Sequence, residues 1–135
     1  MTKDFSGTIG SSATDAVLRF KAMDGTSGTI VTGASNFMGA EVIMSLKSGT
    51  NFESKKFMIH HNNAVADDTD IFITEFAALG TEIGETVAVA VGDADGSSLT
   101  SNSDKHVQLK LTNPSGTDAL VYSGVAHLVE VPGDS

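Results

Sequence analysis

Lys105-His106-Val107-Gln108-Leu109-Lys110-Leu111-Thr112 alternates without a break. In an extended chain Val107, Leu109 and Leu111 fall on one side, and His106, Gln108, Lys110 and Thr112 on the other. A helix would scatter those three apolar residues around its circumference. A strand gathers them onto one buried face and leaves the other to solvent. The stretch reads as a half-buried strand of an antiparallel sheet.

The same grammar extends in both directions. Asn113-Pro114-Ser115-Gly116 is a turn, and Ala119 to Val131 is a last strand with Leu120, Tyr122, Gly124, Ala126 and Leu128 on one face, ended by Pro132-Gly133. Upstream, Thr86 to Val91 sets Val87, Val89 and Val91 against small alanines. Gly92 to Ser98 and Thr100 to Asp104 make a long polar loop after it. Ile71 to Phe76 is rich in β-branched and aromatic types, as strands are. Lys55 to His61 is a strand closed by Asn62-Asn63, and Asp67-Asp68-Thr69-Asp70 is an acidic turn. Phe37 to Lys47 places Val42, Met44 and Leu46 on one face and Glu41, Ser45 and Lys47 on the other, with a turn at Ser48-Gly49-Thr50-Asn51. Asp15 to Met23 runs into Asp24-Gly25, a strong turn signal, and Gly28 to Gly33 is a short strand.

These eight candidates predict an all-β fold, an antiparallel β-sandwich or jelly roll, occupying residues 15–135 as a single domain. Residues 1–14, with Gly7, Gly10, Ser11, Ser12 and Thr14, offer little to bury and read as an extended N-terminal arm. The arm is either frayed or docked on a neighbouring subunit. Phe5 is the anchor that the second alternative needs.

Composition narrows the function. A chain of 135 residues can build a core without staples, and with no cysteine it has no disulfide, thiolate metal site or cysteine nucleophile. The net charge is −9, with only 8 basic residues. Phosphate recognition needs clustered Lys and Arg, and only Lys55-Lys56 and the single Arg19 come near that, so no nucleic-acid partner is expected. An anionic membrane would repel the chain, and the N-terminus shows no apolar signal segment.

Catalytic and metal motifs are weak. His60 and His61 are neighbours on a strand and point to opposite faces, so a shared metal would need His106 or His127 brought alongside; the plain reading is two partly exposed strand histidines. Asp93-Ala94-Asp95-Gly96 opens like a calcium loop, but the sixth and twelfth positions hold Ser98 and Asp104, where an EF-hand has Gly and Glu. A loose calcium site on Asp93, Asp95 and Asp104, or on Asp67, Asp68 and Asp70, competes with plain solvated turns. There is no Gly-x-Ser-x-Gly elbow and no phosphate loop. No pair among the 17 acids is singled out for catalysis. The expectation is a non-enzyme with no catalytic, cofactor-binding or metal residues and no cofactor.

The stretch Asn62 to Thr81, with its Asp68-Thr69-Asp70-Ile71 and Thr74-Glu75-Phe76-Ala77 segments and Leu79-Gly80-Thr81, resembles virion structural proteins of tailed bacteriophages, especially those of cyanobacteria. So does Val107 to Thr112, and the resemblance spans about residues 55–131. It implies a β-rich adhesive or reinforcing role. The shortness of the chain favours a capsid decoration (cement) protein, and a fibre-type module of the tail or neck that binds a host receptor or glycan is the alternative. The implied partners are the major capsid protein and further copies of the chain, as a trimer or dimer. The implied location is the capsid exterior, after synthesis in the host cytoplasm.

Overall fold

The computed structural model describes residues 1–23, 33–62, 71–98 and 105–132. Among these residues there are eight strands: β1 (Thr2–Ile9), β2 (Thr14–Met23), β3 (Gly33–Ser48), β4 (Asn51–His61), β5 (Ile71–Gly80), β6 (Thr86–Gly92), β7 (Lys105–Thr112) and β8 (Leu120–Val131). They form two antiparallel sheets, a larger one in the order β1-β8-β3-β4-β5 and a smaller one in the order β2-β7-β6. The all-β sandwich expected from alternation is the observed architecture. The turn signal Asp24-Gly25, most of the Gly28–Gly33 candidate, the acidic turn 67–70 and the loop 100–104 lie outside the described residues.

The core forms where alternation said it would. Val107, Leu109 and Leu111 of β7 face Val42, Met44 and Leu46 of β3 in one cluster of buried side chains, joined by Leu120, Tyr122, Ala126 and Leu128 of β8. Each large aliphatic side chain so buried contributes roughly 1.5–3 kcal/mol. β2 departs from strict alternation, because register shifts against β7 occur between Ala16 and Leu18 and between Lys21 and Met23. The extra residue at the first shift lets Val17 and Leu18, adjacent in sequence, both reach the core.

The expected arm is corrected. Residues 2–9 are an edge strand, paired with β8 from Thr2–His127 through Ile9–Leu120. Phe5 is anchored within its own sheet. Its ring lies 6.2 Å from that of Tyr122, and a Cβ added at Gly124 would come within 2.4 Å of Phe5 Cζ. Gly7, one of the small residues that seemed to make an arm, is clearance for the Tyr122 ring. Asn113 then locks the end of the strand by donating from Nδ2 to the carbonyls of Ile9, Gly10 and Asp118.

Candidate functional site

The larger sheet has a second face, turned away from the core. The register lays it out in rows across the strands. One row runs Asp4–Val125–Ile43–Lys56–Ala77, the next Thr2–His127–Glu41–Met58–Thr74, and a third Ser6–Ser123–Ser45–Ser54–Leu79. Exposed large apolar side chains collect on these strands: Ile43 on β3, Phe52 and Met58 on β4, Phe72, Phe76 and Leu79 on β5, and Val121, Val125 and Val129 on β8. They range from 41% to 71% exposed, and Met1 is the one other exposed large apolar residue among those described. Together they leave on the order of 900 Å² of side-chain surface open to water, set among Lys56, Glu41, His127 and the row of serines.

Sequence reasoning placed the apolar face of β8 correctly but did not use Val121, Val125 and Val129. The signal was present: β8 carries apolar residues in both phases of its alternation, as a strand covered on both faces would. The outer face carries Asp4, Glu41, Lys47 and Lys56 among its apolar side chains. Lys56 Nζ lies 3.5 Å from Glu41, and Lys47 Nζ sits 5.7 Å from the centre of the Phe52 ring.

Lys55 and Lys56 do not form a basic patch, because a strand sends neighbours to opposite faces. Lys55 turns inward, 2.7 Å from Glu85, 3.3 Å from Glu75 and 3.6 Å from Glu53. Burial is the largest influence on Lys55 and pulls its pKa down, but hydrogen bonds to Glu85 and Glu75, with the charges of Glu85 and Glu53, outweigh it and hold the ammonium above its usual range. Glu53 is pushed up, first by burial and then by its hydrogen bond to the Glu85 carboxyl and the charge there. The Glu85 side chain is fully withdrawn from solvent. Glu53 and Glu85 form a buried ionic tie with Lys55 at the crossing from β5 to β6, and the half-exposed Glu75 joins it from the surface.

The histidines are separated. His61 is buried at 0% exposure, which corrects the expectation of two partly exposed histidines. Its Nε2 donates to the carbonyl of Phe37 at 2.8 Å, and Nδ1 has no hydrogen-bond partner. Burial foremost lowers its pKa. His60 lies on the outer face, 2.8 Å from Asn62 Oδ1, with its ring 6.5 Å from that of Phe72. His127 faces outward on β8, two strands away from His60, and His106 belongs to the other sheet.

The described part of the candidate calcium loop, Asp93 to Ser98, is a tight turn. Asp95 Oδ1 accepts from the backbone NH of Ser97 at 2.9 Å and from its hydroxyl at 2.5 Å. Those bonds to Ser97 hold its carboxyl below the usual range. Asp104, Asp67, Asp68 and Asp70 lie outside the described residues, and among the described residues no three His, Asp or Glu side chains are placed to hold a metal ion. The loop's anchor is Gln108, expected to be solvent-facing but buried at 0% exposure. Its Nε2 donates to the carbonyls of Asp93 and Ser97. The loop folds back over the smaller sheet and takes Gln108 out of water, which alternation cannot foretell.

The chain matches no protein-family model, no curated protein and no solved structure. The surface therefore has to be interpreted from its own chemistry.

Proposed function

We propose that the protein is a non-enzymatic structural component of a virus particle, a decoration (cement) protein that binds and stabilises the outer surface of a phage head. The observation that carries the binding half of this reading is the outer face of the larger sheet. Nine large apolar side chains lie open on its strands, while the sandwich core is already complete without them. Large apolar side chains gathered on the strands of one sheet and rimmed by polar residues favour an interaction surface. Its area is about one partner's share of a standard interface, roughly 800 Å². The virion half is supported by the resemblance over residues 55–131, which includes β5 and much of β4.

The expected contact elements shift accordingly. Residues 2–9 are committed to β8, so the shell-binding surface is the sheet face centred on Ile43, Val125 and Met58. Many copies, each with a modest contact, hold a shell by avidity. Phe52, Phe72 and Phe76, three exposed aromatic rings on β4 and β5, favour the second reading, a fibre-type module that stacks on a host glycan.

Negative-stain imaging of particles carrying a C-terminal label separates these readings. Label distributed over the head supports the decoration role, label confined to the tail or neck supports the fibre role, and particles free of label refute both. Ile43→Lys with Val125→Lys should abolish co-pelleting with shells while leaving the circular dichroism spectrum unchanged.

A further inference from the structure

The larger sheet ends on a strand that the described fold leaves open. β5 pairs with β4 on one side and with no described strand on the other. Phe72 and every residue from Thr74 to Gly80 are exposed. Proteins that stay monomeric blunt such edges with lysine, proline, short length or a bulge. β5 runs ten residues with no Lys, Arg or Pro. It does carry a bulge, where Phe57 pairs with Glu75 and Lys56 with Ala77, leaving Phe76 as the extra residue.

That bulge changes which side chains share a face. Phe72 and Leu79 are an odd number of residues apart and would oppose each other on a regular strand. The extra residue brings both to the outer face, Phe72 opposite His60 and Leu79 opposite Ser54. Thr74 and Ala77 share the outer face in the same way, opposite Met58 and Lys56. Ile73 and Ala78 share the inner face, opposite Ile59 and Lys55.

We propose that β5 pairs antiparallel with β5 of a second copy about a two-fold axis between Glu75 and Phe76, joining two larger sheets into one of ten strands. In this register Phe72 stands opposite Leu79 of the second copy, Ile73 opposite Ala78, Thr74 opposite Ala77 and Glu75 opposite Phe76, each pair occurring twice. The three flanking pairs match outer side chain to outer and inner to inner, and they do so because each strand carries the bulge. An axis through Phe76 would match Thr74, an outer residue, with Ala78, an inner one. An axis through Glu75 would set that carboxylate against its own copy. In the proposed register the only charge on β5 faces an aromatic ring and stays 3.3 Å from its own Lys55. An isologous pairing of this kind closes as a dimer and does not propagate.

The pairing does not depend on the virion reading, and shell binding by the flat face is measured separately. The test is sedimentation equilibrium of the full chain over a concentration series. The unmodified protein is expected to show twice the chain mass at the upper end. F72K should shift the protein to monomer by setting a lysine against Leu79 on each side. F72K combined with L79E should restore the dimer, because the new opposite charges face each other twice across the axis in this register. Both positions are more than half exposed, so the fold is retained, with an unchanged far-ultraviolet circular dichroism spectrum as the control. A wild-type chain that stays monomeric, a trimer, or an F72K variant that dimerises like wild type overturns the pairing. Failure of the double variant to recover the dimer overturns the register.

Discussion

Lys55 Nζ and Glu85 Oε1 meet at 2.7 Å where the chain leaves the larger sheet for the smaller one, with the Glu85 side chain completely removed from solvent. Buried beside the Glu53 carboxyl, the Glu85 carboxylate depends on the lysine for its charge compensation. Removing one member of a buried pair strands the other charge, which costs about 3–5 kcal/mol. Lys55→Met should therefore lower stability by about 3 kcal/mol in urea titrations, with Glu53 and Glu75 adding to the uncompensated charge. Lys55→Met with Glu85→Leu should recover most of that loss. An unaltered midpoint for the single variant would show that the pair is not a structural tie.

The same cluster gives a pH dependence of definite sign. The Glu53 pKa is raised above its ordinary value of 4.5 by burial and by Glu85. The folded state holds a proton that the unfolded chain releases, so its stabilising contribution is complete below pH 4.5 and declines as pH rises through the elevated folded value. Glu53→Gln keeps a neutral side chain at all pH values. It should flatten this decline in a series of denaturation curves, and an unchanged slope would count against the assignment.

His61 acts in the opposite direction. Burial lowers its pKa from 6.5, so the unfolded chain takes up a proton first as pH falls. Stability is full above pH 6.5 and is lost as pH drops through the lowered folded value. His61→Gln offers a donor for the Phe37 carbonyl without a proton to gain. The variant should lose less stability than wild type between neutral and mildly acidic pH, as read by thermal midpoints.

Deleting residues 1–9 should destabilise the sandwich rather than trim a loose end. The deletion removes the partner of β8, the Phe5 ring packed on Tyr122 and the buried Ile9. It also removes the Ile9 carbonyl that Asn113 engages. The expected result is a fall of several degrees or more in thermal midpoint, and an unchanged midpoint would restore the arm interpretation.

Gln108→Leu keeps the side-chain volume but removes both bonds to the Asp93–Ser97 turn. A net loss of about 1–2 kcal/mol follows for the carbonyls left unpaired. Amide exchange at Ser97 and Gly96 should accelerate more than exchange within β7. Uniform acceleration would mean that the loop is held by something else.

Much of the sandwich was legible because one physical rule, period-two burial, governs most of the chain. Val107, Leu109 and Leu111, and likewise Val42, Met44 and Leu46, are inside because an extended chain must send alternate side chains to one face. The turn at Gly49, in the left-handed region with φ +60, was legible from its residue type. What alternation could not supply was which second faces would be covered. Gln108 is buried by a loop from its own sheet, and His61 lies at 0% exposure against the Phe37 carbonyl. Val121, Val125 and Val129, with an equally apolar spacing, are left in water. Residues 2–9 looked like an arm because small residues carry no periodic signal, yet Gly7 and Gly124 are the space that Tyr122 and Phe5 occupy. By itself the sequence determined seven of the eight described strands, β2 to β8, most of their inward faces and the absence of cysteine chemistry. Only the tertiary structure decided which strand lies at an edge and which apolar face stays open, because both depend on which segments distant in sequence come to lie side by side.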